Sequence, residues 1–173
     1  MTSARILLLT GVPGVGKTTL LRRVAERLKG RRIRGFFTEE IREAGERQGF
    51  RLVAFDGTER VIAHVGLPKI HRVGKYGVDV EAIDQVAKCL ALAAEADLYL
   101  VDEIGKMECL SERFIAAMRS LLSGRRPVVA TIALRGGGFI AEAKQAAGAT
   151  VWEVSHANRD ALPEHVLRWL ETT

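Results

Sequence analysis

Residues 5–19 read RILLLTGVPGVGKTT. Arg5 to Thr10 form a nearly continuous apolar run of strand length, which suits a strand covered on both faces in a parallel sheet. Glycines and Pro13 then interrupt it. Beyond them Leu20, Leu21, Val24 and Leu28 recur at helical spacing, with Arg22, Arg23, Glu26 and Arg27 on the wet face. The stretch predicts a strand, a glycine-rich loop and a helix in immediate succession.

Working outward, the same alternation continues. Ile33 to Thr38 reads as a second strand, followed by a polar, glycine-bearing segment through Gly49. Phe50 to Phe55 and Val61 to Val65 flank Asp56-Gly57-Thr58-Glu59, a hairpin signal. Asp79 is placed to cap a long helix whose buried stripe is Val80, Ile83, Val86, Ala87, Leu90 and Ala94. Leu98 to Val101 is a short apolar strand with Asp102 and Glu103 directly at its carboxyl end. A helix follows through Phe114, Ile115, Met118, Leu121 and Leu122, with Gly124 as its terminator. Pro127 to Ile132 is a further strand. Glycines at 136–138 lead to a helix with Phe139, Ile140, Ala143 and Ala147, then to a strand over Thr150 to Val154. Leu162, Val166, Trp169 and Leu170 line a last helix.

This pattern predicts one α/β domain over residues 1–173, with helices covering a mostly parallel sheet and a small antiparallel hairpin attached to it. Right-handed crossovers put the carboxyl ends of the parallel strands along one edge, where open α/β sheets form ligand crevices. The chain of 173 residues is 47% hydrophobic and 27% charged, which excludes a disordered or fibrous class. Its net charge of +5 favours anionic partners such as nucleotides, nucleic acids or acidic lipids. Cys89 and Cys109 have no CxxC spacing, so neither a disulfide framework nor a zinc site is suggested. With no signal-peptide pattern and no membrane-length apolar stretch, a cytoplasmic protein without a membrane partner is expected.

Gly11 to Thr18 complete GVPGVGKT, the GxxxxGK[ST] pattern, in the strand-to-helix context that this pattern requires. The loop of Gly11, Val12, Pro13, Gly14, Val15 and Gly16 can curl its backbone N–H groups around phosphate at the positive end of the helix. Lys17 is expected to reach the β- and γ-phosphates, Thr18 to join a Mg²⁺ shell, and Thr19 to serve as a helix residue or phosphate-side auxiliary. An accidental glycine turn beside a surface lysine would not account for strand, loop, helix and spacing together. The motif names no base, and it serves hydrolysis and transfer to another acceptor equally well.

Asp102 matches the acid expected on the metal side of such a site. Glu103, on the other side of the strand, can take a proton from water attacking the γ-phosphorus. The simpler reading of both is a solvated acidic strand end. Thr131, near the same edge, can sense phosphate or orient water, or be an ordinary strand residue. Lys106 and Glu108 suit either an ion pair near the phosphate or a solvated loop. Arg42, Arg47, Arg135 and Arg159 are the arginines considered for stabilising developing charge, each weighed against a plain surface position. His64, His71, His156 and His165 have no metal-ligand spacing, and Tyr76 is either a pocket-edge residue or a packed aromatic.

GVPGVGKTT at 11–19, GFFTEEIR at 35–42, RQGF at 47–50, DEIGKME at 102–108, VVATI at 128–132 and NRD at 158–160 together resemble the THEP1-like nucleoside-triphosphatases, over almost the whole chain. The resemblance implies a three-layer, RecA-like P-loop core. It also implies Mg²⁺-dependent hydrolysis of several nucleoside 5′-triphosphates (ATP, GTP, CTP and UTP) to diphosphates and phosphate. By matched position, Gly16 to Thr19 correspond to the phosphate loop, and Asp102 and Glu103 to the metal-side and catalytic acids. Asn158 to Asp160 correspond to a late strand-end motif near the base, so Asn158 and Arg159 are candidate base contacts. No NKxD tetrapeptide for guanine selection is present. Two other readings use the same loop: a small-molecule or polynucleotide kinase, and a nucleotide-controlled RNA-binding protein, although no RRM or KH pattern supports RNA. Oligomeric state has no sequence signature here.

Overall fold

The computed structural model describes residues 5–172. Strand β1 (Ile6–Thr10) has all five residues buried, as its apolar run requires, and leads through the glycine loop into α1 (Lys17–Arg27). Then come β2 (Ile33–Glu43), β3 (Glu46–Ala54), β4 (Glu59–His64), β5 (Arg72–Val73) and β6 (Tyr76–Val78). Helix α2 (Val80–Ala87) precedes β7 (Leu98–Ile104), α3 (Glu112–Leu122), β8 (Val128–Ile132), α4 (Phe139–Lys144), β9 (Ala149–Glu153) and α5 (Leu162–Glu171).

Among the described residues nine strands join one sheet in the order β5-β6-β4-β3-β2-β7-β8-β1-β9. The pairs β2–β7, β7–β8, β8–β1 and β1–β9 are parallel, whereas β2–β3, β3–β4, β4–β6 and β5–β6 pair antiparallel. The sheet is therefore mixed, which corrects the expected mostly parallel sheet with a small hairpin. The cause is β2, which does not stop at Thr38. It runs for eleven residues, reverses at Ala44 and Gly45, both with positive φ, and returns as β3. The Asp56-Gly57 turn then joins β3 to β4 as its spacing predicts, and Asp56 accepts a hydrogen bond from the Thr58 N–H at 2.9 Å.

The two faces carry separate cores. Alternation along β1 sends Leu7 and Leu9 to one side, where Leu20, Leu21 and Val24 of α1 meet Val166 and Leu167 of α5. Ile6 and Leu8 face the other side, with Ile83 of α2, Phe114 and Met118 of α3, and Ile140 of α4. The Asp79 carboxylate accepts the Ala82 N–H at 3.0 Å and caps α2, but the helix is shorter than expected. It ends in a 3₁₀ turn at Lys88–Leu90, which leaves Ala94 outside it.

At the edge where the parallel strands end, Gly11 lies against the chain leaving β9. A Cβ at Gly11 would sit 2.6 Å from the Val154 carbonyl oxygen, closer than backbone permits. Gly11→Ala is expected to lower stability by about 1–3 kcal/mol, the usual cost of overpacking. Thermal or urea unfolding without nucleotide checks this, and an unchanged midpoint would contradict the close approach.

Candidate active site

The loop after β1 gains its shape from two left-handed glycines, Gly14 at φ 79° and Gly16 at φ 105°. Gly16 is also the N-cap of α1. Among the described residues no side chain caps that end, and its first turn holds no acid, so its N–H groups and the helix dipole are open to an external anion. The Lys17 Nζ donates to the Gly11 carbonyl at 2.8 Å, which holds the ammonium over the loop. A cavity of about 700 Å³ opens beside these groups, lined by Gly14, Gly16, Lys17, Thr18 and Thr19 on one side and by Asp102 and Glu103 on the other. That volume lies within the range of small-ligand sites.

Strand β7 extends to Ile104, three residues past its expected end, so both acids lie inside the strand. Its register with β8 is irregular between Val101 and Ile104, the interval that contains them. Asp102 is only 2% exposed. Its carboxylate accepts the Thr131 hydroxyl at 2.8 Å and the Thr38 N–H at 3.1 Å, and the Thr38 hydroxyl bonds the Asp102 carbonyl. Burial raises the Asp102 pKa above the ordinary value, while hydrogen bonds from Thr38, Thr131 and Thr18 and the charge of Arg22 act the other way. Thr131 is fully buried and donates to the carboxylate, a contact that neither reading of it had included.

Burial likewise raises the Glu103 pKa, with Asp102 adding repulsion and Lys17 opposing it. Glu108 contradicts the solvated-loop reading. It is 5% exposed, and burial together with repulsion from Glu103 pushes its carboxyl up to about 8. A charged residue in a short loop gives no sequence sign of such burial.

The remaining wall comes from the antiparallel half. Arg22, Thr38, Glu39, Glu40, Arg47 and Phe50 line the cavity. Arg22 pairs with Glu39 at 2.9 Å and stacks on Phe37 at 4.5 Å; Arg47 pairs with Glu40 at 3.1 Å and lies over the Phe50 ring at 5.3 Å. Arg42 is instead held by Glu40 and by the Gly45 carbonyl, on the hairpin. Neither Thr38 nor Arg22 was a sequence candidate; the position of Thr38 at the carboxyl edge of a parallel strand was the available signal. Arg135 lies exposed in the bend before α4. Arg159 donates to the Val15 carbonyl at 3.2 Å and lines a smaller cavity of about 240 Å³ with Gly16, Thr19 and Arg23. The Asn158 amide is engaged by the Ser155 N–H and the Glu153 carbonyl, both at 2.8 Å, and lines neither cavity. Tyr76 packs edge-on against Phe50 at 5.3 Å.

A strand, a glycine loop that bares a helix N-terminus, a lysine folded over that loop and a buried aspartate from a distant strand define a P-loop nucleotide-binding protein. The chain belongs to the THEP1-like NTPase family, whose model, described as NTPase, matches residues 6–167. It is 40% identical over 163 residues to the nucleoside-triphosphatase THEP1 of Thermotoga petrophila, covering 93% of this chain and 90% of that one. To the protein of the same name from Caldivirga maquilingensis it is 41% identical over 166 residues, covering 94% and 93%. The crystal structure of THEP1 from Aquifex aeolicus superimposes with a TM-score of 0.85 at 34% identity, over 96% of this chain and 99% of that one. The solution structure of a human cancer-related nucleoside triphosphatase does so with 0.83, also at 34%, over 98% and 99%. Among the described residues no helix is long and apolar enough to cross a membrane.

Glu108 makes the pH dependence of stability testable. Its folded pKa of about 8 exceeds the ordinary 4.5, so the fold favours the protonated acid. The resulting stability is complete below about pH 4.5 and is lost as pH rises through 8. Melting temperatures of the wild type and Glu108→Gln are expected to diverge between pH 5 and 9, with the wild type falling relative to the variant. Parallel curves would contradict the burial.

Proposed function

We propose that this site hydrolyses nucleoside 5′-triphosphates to diphosphates and phosphate, with Mg²⁺ and with broad base tolerance. One observation carries the reading: the Asp102 carboxylate is shared by groups from three other elements, Thr38 of β2, Thr131 of β8 and Thr18 of α1, beside the bare N-terminus of α1. The donor set suits Mg²⁺, since one hydroxyl and one carboxylate, both hard oxygen ligands, fit a cation that takes its other ligands from phosphates and water. Among the described residues no cluster of three or more His, Cys, Asp or Glu side chains suits a metal held by protein alone. Thr18 and Asp102 would hold Mg²⁺ there, and the cation would supply positive charge against that developing on the phosphates during transfer.

The chain's own groups do the rest. Loop N–H groups and Lys17 cradle the phosphates, with the ammonium exchanging its bond to Gly11 for a phosphate oxygen. Glu103 faces the same cavity and accepts the proton of the attacking water; its raised pKa makes it a stronger base than an ordinary glutamate. Engagement of the Asn158 amide by backbone leaves the base without that side-chain reader, which supports loose base preference. The position of β8 between β1 and β7 supports a RecA-like core.

Phosphate release from ATP, GTP, CTP and UTP in Mg²⁺ is expected at comparable rates. Lys17→Ala should lose both tight binding and turnover. Glu103→Gln should keep nucleotide affinity while kcat falls about 10²–10⁴-fold, the usual contribution of a general base. Equal loss of binding and turnover in Glu103→Gln would overturn its role, and a sharp preference for one base would overturn the tolerance.

A further inference from the structure

The space around Glu103 does not end at the triphosphate cavity. A second pocket of about 250 Å³ adjoins it, and the two share Thr38, Phe50 and Glu103 as lining. Glu103 therefore stands in the partition, with the phosphate loop on one side and this annex on the other. Val73, Met107 and Ala133 give the annex apolar walls, and Phe50 is braced edge-on by Tyr76. Its polar side chains are Thr38, Lys106, Glu103 and Glu108. Glycine at position 105 keeps the two carboxyl groups close: a Cβ there would lie 3.0 Å from the Glu108 Oε2 and 3.5 Å from the Glu103 carboxyl carbon.

Attack by water needs room for a single molecule. The annex holds about eight times the roughly 30 Å³ that a water occupies in the liquid. Apolar walls with a few converging polar groups are the usual makeup of a small-molecule site. We propose that the annex is an acceptor subsite, in which a small uncharged compound bearing a hydroxyl receives the γ-phosphoryl group in place of water. This inference rests on the role given to Glu103 above.

In the transfer, the acceptor hydroxyl oxygen forms a bond to the γ-phosphorus as the bond from that phosphorus to the β-phosphate oxygen breaks. The electron pair leaves on the nucleoside diphosphate, the hydroxyl proton passes to the Glu103 carboxylate, and the products are a phosphomonoester and the diphosphate. The Glu103 carboxylate that takes the proton offsets the Lys106 ammonium, so the annex offers no net positive charge to an anion, and the class is a polyol or sugar of up to about eight non-hydrogen atoms, counting one per water-sized space. Glu108, buried and carrying its proton at neutral pH, can donate a hydrogen bond to a second hydroxyl of such a compound.

The test follows γ-labelled ATP and Mg²⁺ with the whole protein in rising glycerol, propane-1,2-diol or erythritol, and separates labelled monoester from labelled inorganic phosphate. The expected result is monoester whose share rises and saturates with at least one of these acceptors. Val73→Phe in β5 and Ala133→Leu just after β8, which fill the annex from two separate segments, should each lower that share about tenfold or more while leaving phosphate release unchanged. Phosphate release without monoester from any of the three, or a share that rises without saturating and ignores both substitutions, overturns the acceptor subsite and leaves hydrolysis standing. Monoester without phosphate release would uphold the subsite and overturn hydrolysis as the reaction. Neither product would overturn both.

Discussion

A carboxylate out of water is costly unless it is hydrogen-bonded or paired, and Asp102 is nearly inaccessible at the centre of the catalytic edge. Its partners come from β2, β8 and α1 while Asp102 itself belongs to β7. Four elements far apart in sequence are therefore registered by one side chain. The same restraint sets the distance from β7 to the N-terminus of α1, where the phosphate loop ends. Burial favours the neutral acid, while the hydrogen bonds from Thr38, Thr131 and Thr18 and the charge of Arg22 favour the anion, as a bound cation would.

The mixed sheet divides the work. Its parallel half brings the ends of β1, β7 and β8 to one edge and supplies the loop, both acids and Thr131. Its antiparallel half raises the opposite wall with Glu39, Glu40, Arg47 and Phe50. The Arg22–Glu39 pair links α1 to that wall, and Arg51 meets Glu39 from β3 at 3.3 Å. Such partly exposed pairs add about 0–1 kcal/mol each, so their effect is to orient the wall more than to hold the fold. Phe50 lines both the cavity and the annex and packs edge-on against Tyr76.

How much of this was legible in the sequence followed the range of the interactions. The glycine loop, Lys17 and Thr18 are fixed by local spacing, and the apolar runs of β1, β7 and β8 announce strands buried on both faces. The continuation of β2 through Glu39, Glu40, Arg42 and Glu43 was hidden, because charged residues enter a strand only when a partner ladder holds them there. The two- and three-residue strands β5 and β6 depend on the same distant pairing. Of the site, Asp102 and Glu103 stood out at a strand end, but the choice of Thr131 as an Asp102 partner needs the strand's facing and its register. Glu108 stayed open between an ion pair and a solvated loop because burial of an acid is set by what packs over the loop. The engagement of Asn158 by Ser155 and Glu153 is local and was readable in principle as a turn.

The most direct test of the central restraint is the Mg²⁺ dependence of nucleotide affinity, measured by equilibrium binding of a non-hydrolysable triphosphate analogue to the wild type and to Asp102→Asn. The amide keeps the shape and removes the charge. If Asp102 is held in place to face the cation, Mg²⁺ will tighten binding to the wild type and have little effect on the variant, while affinities without Mg²⁺ stay similar. The same Mg²⁺ enhancement in both proteins would contradict the account.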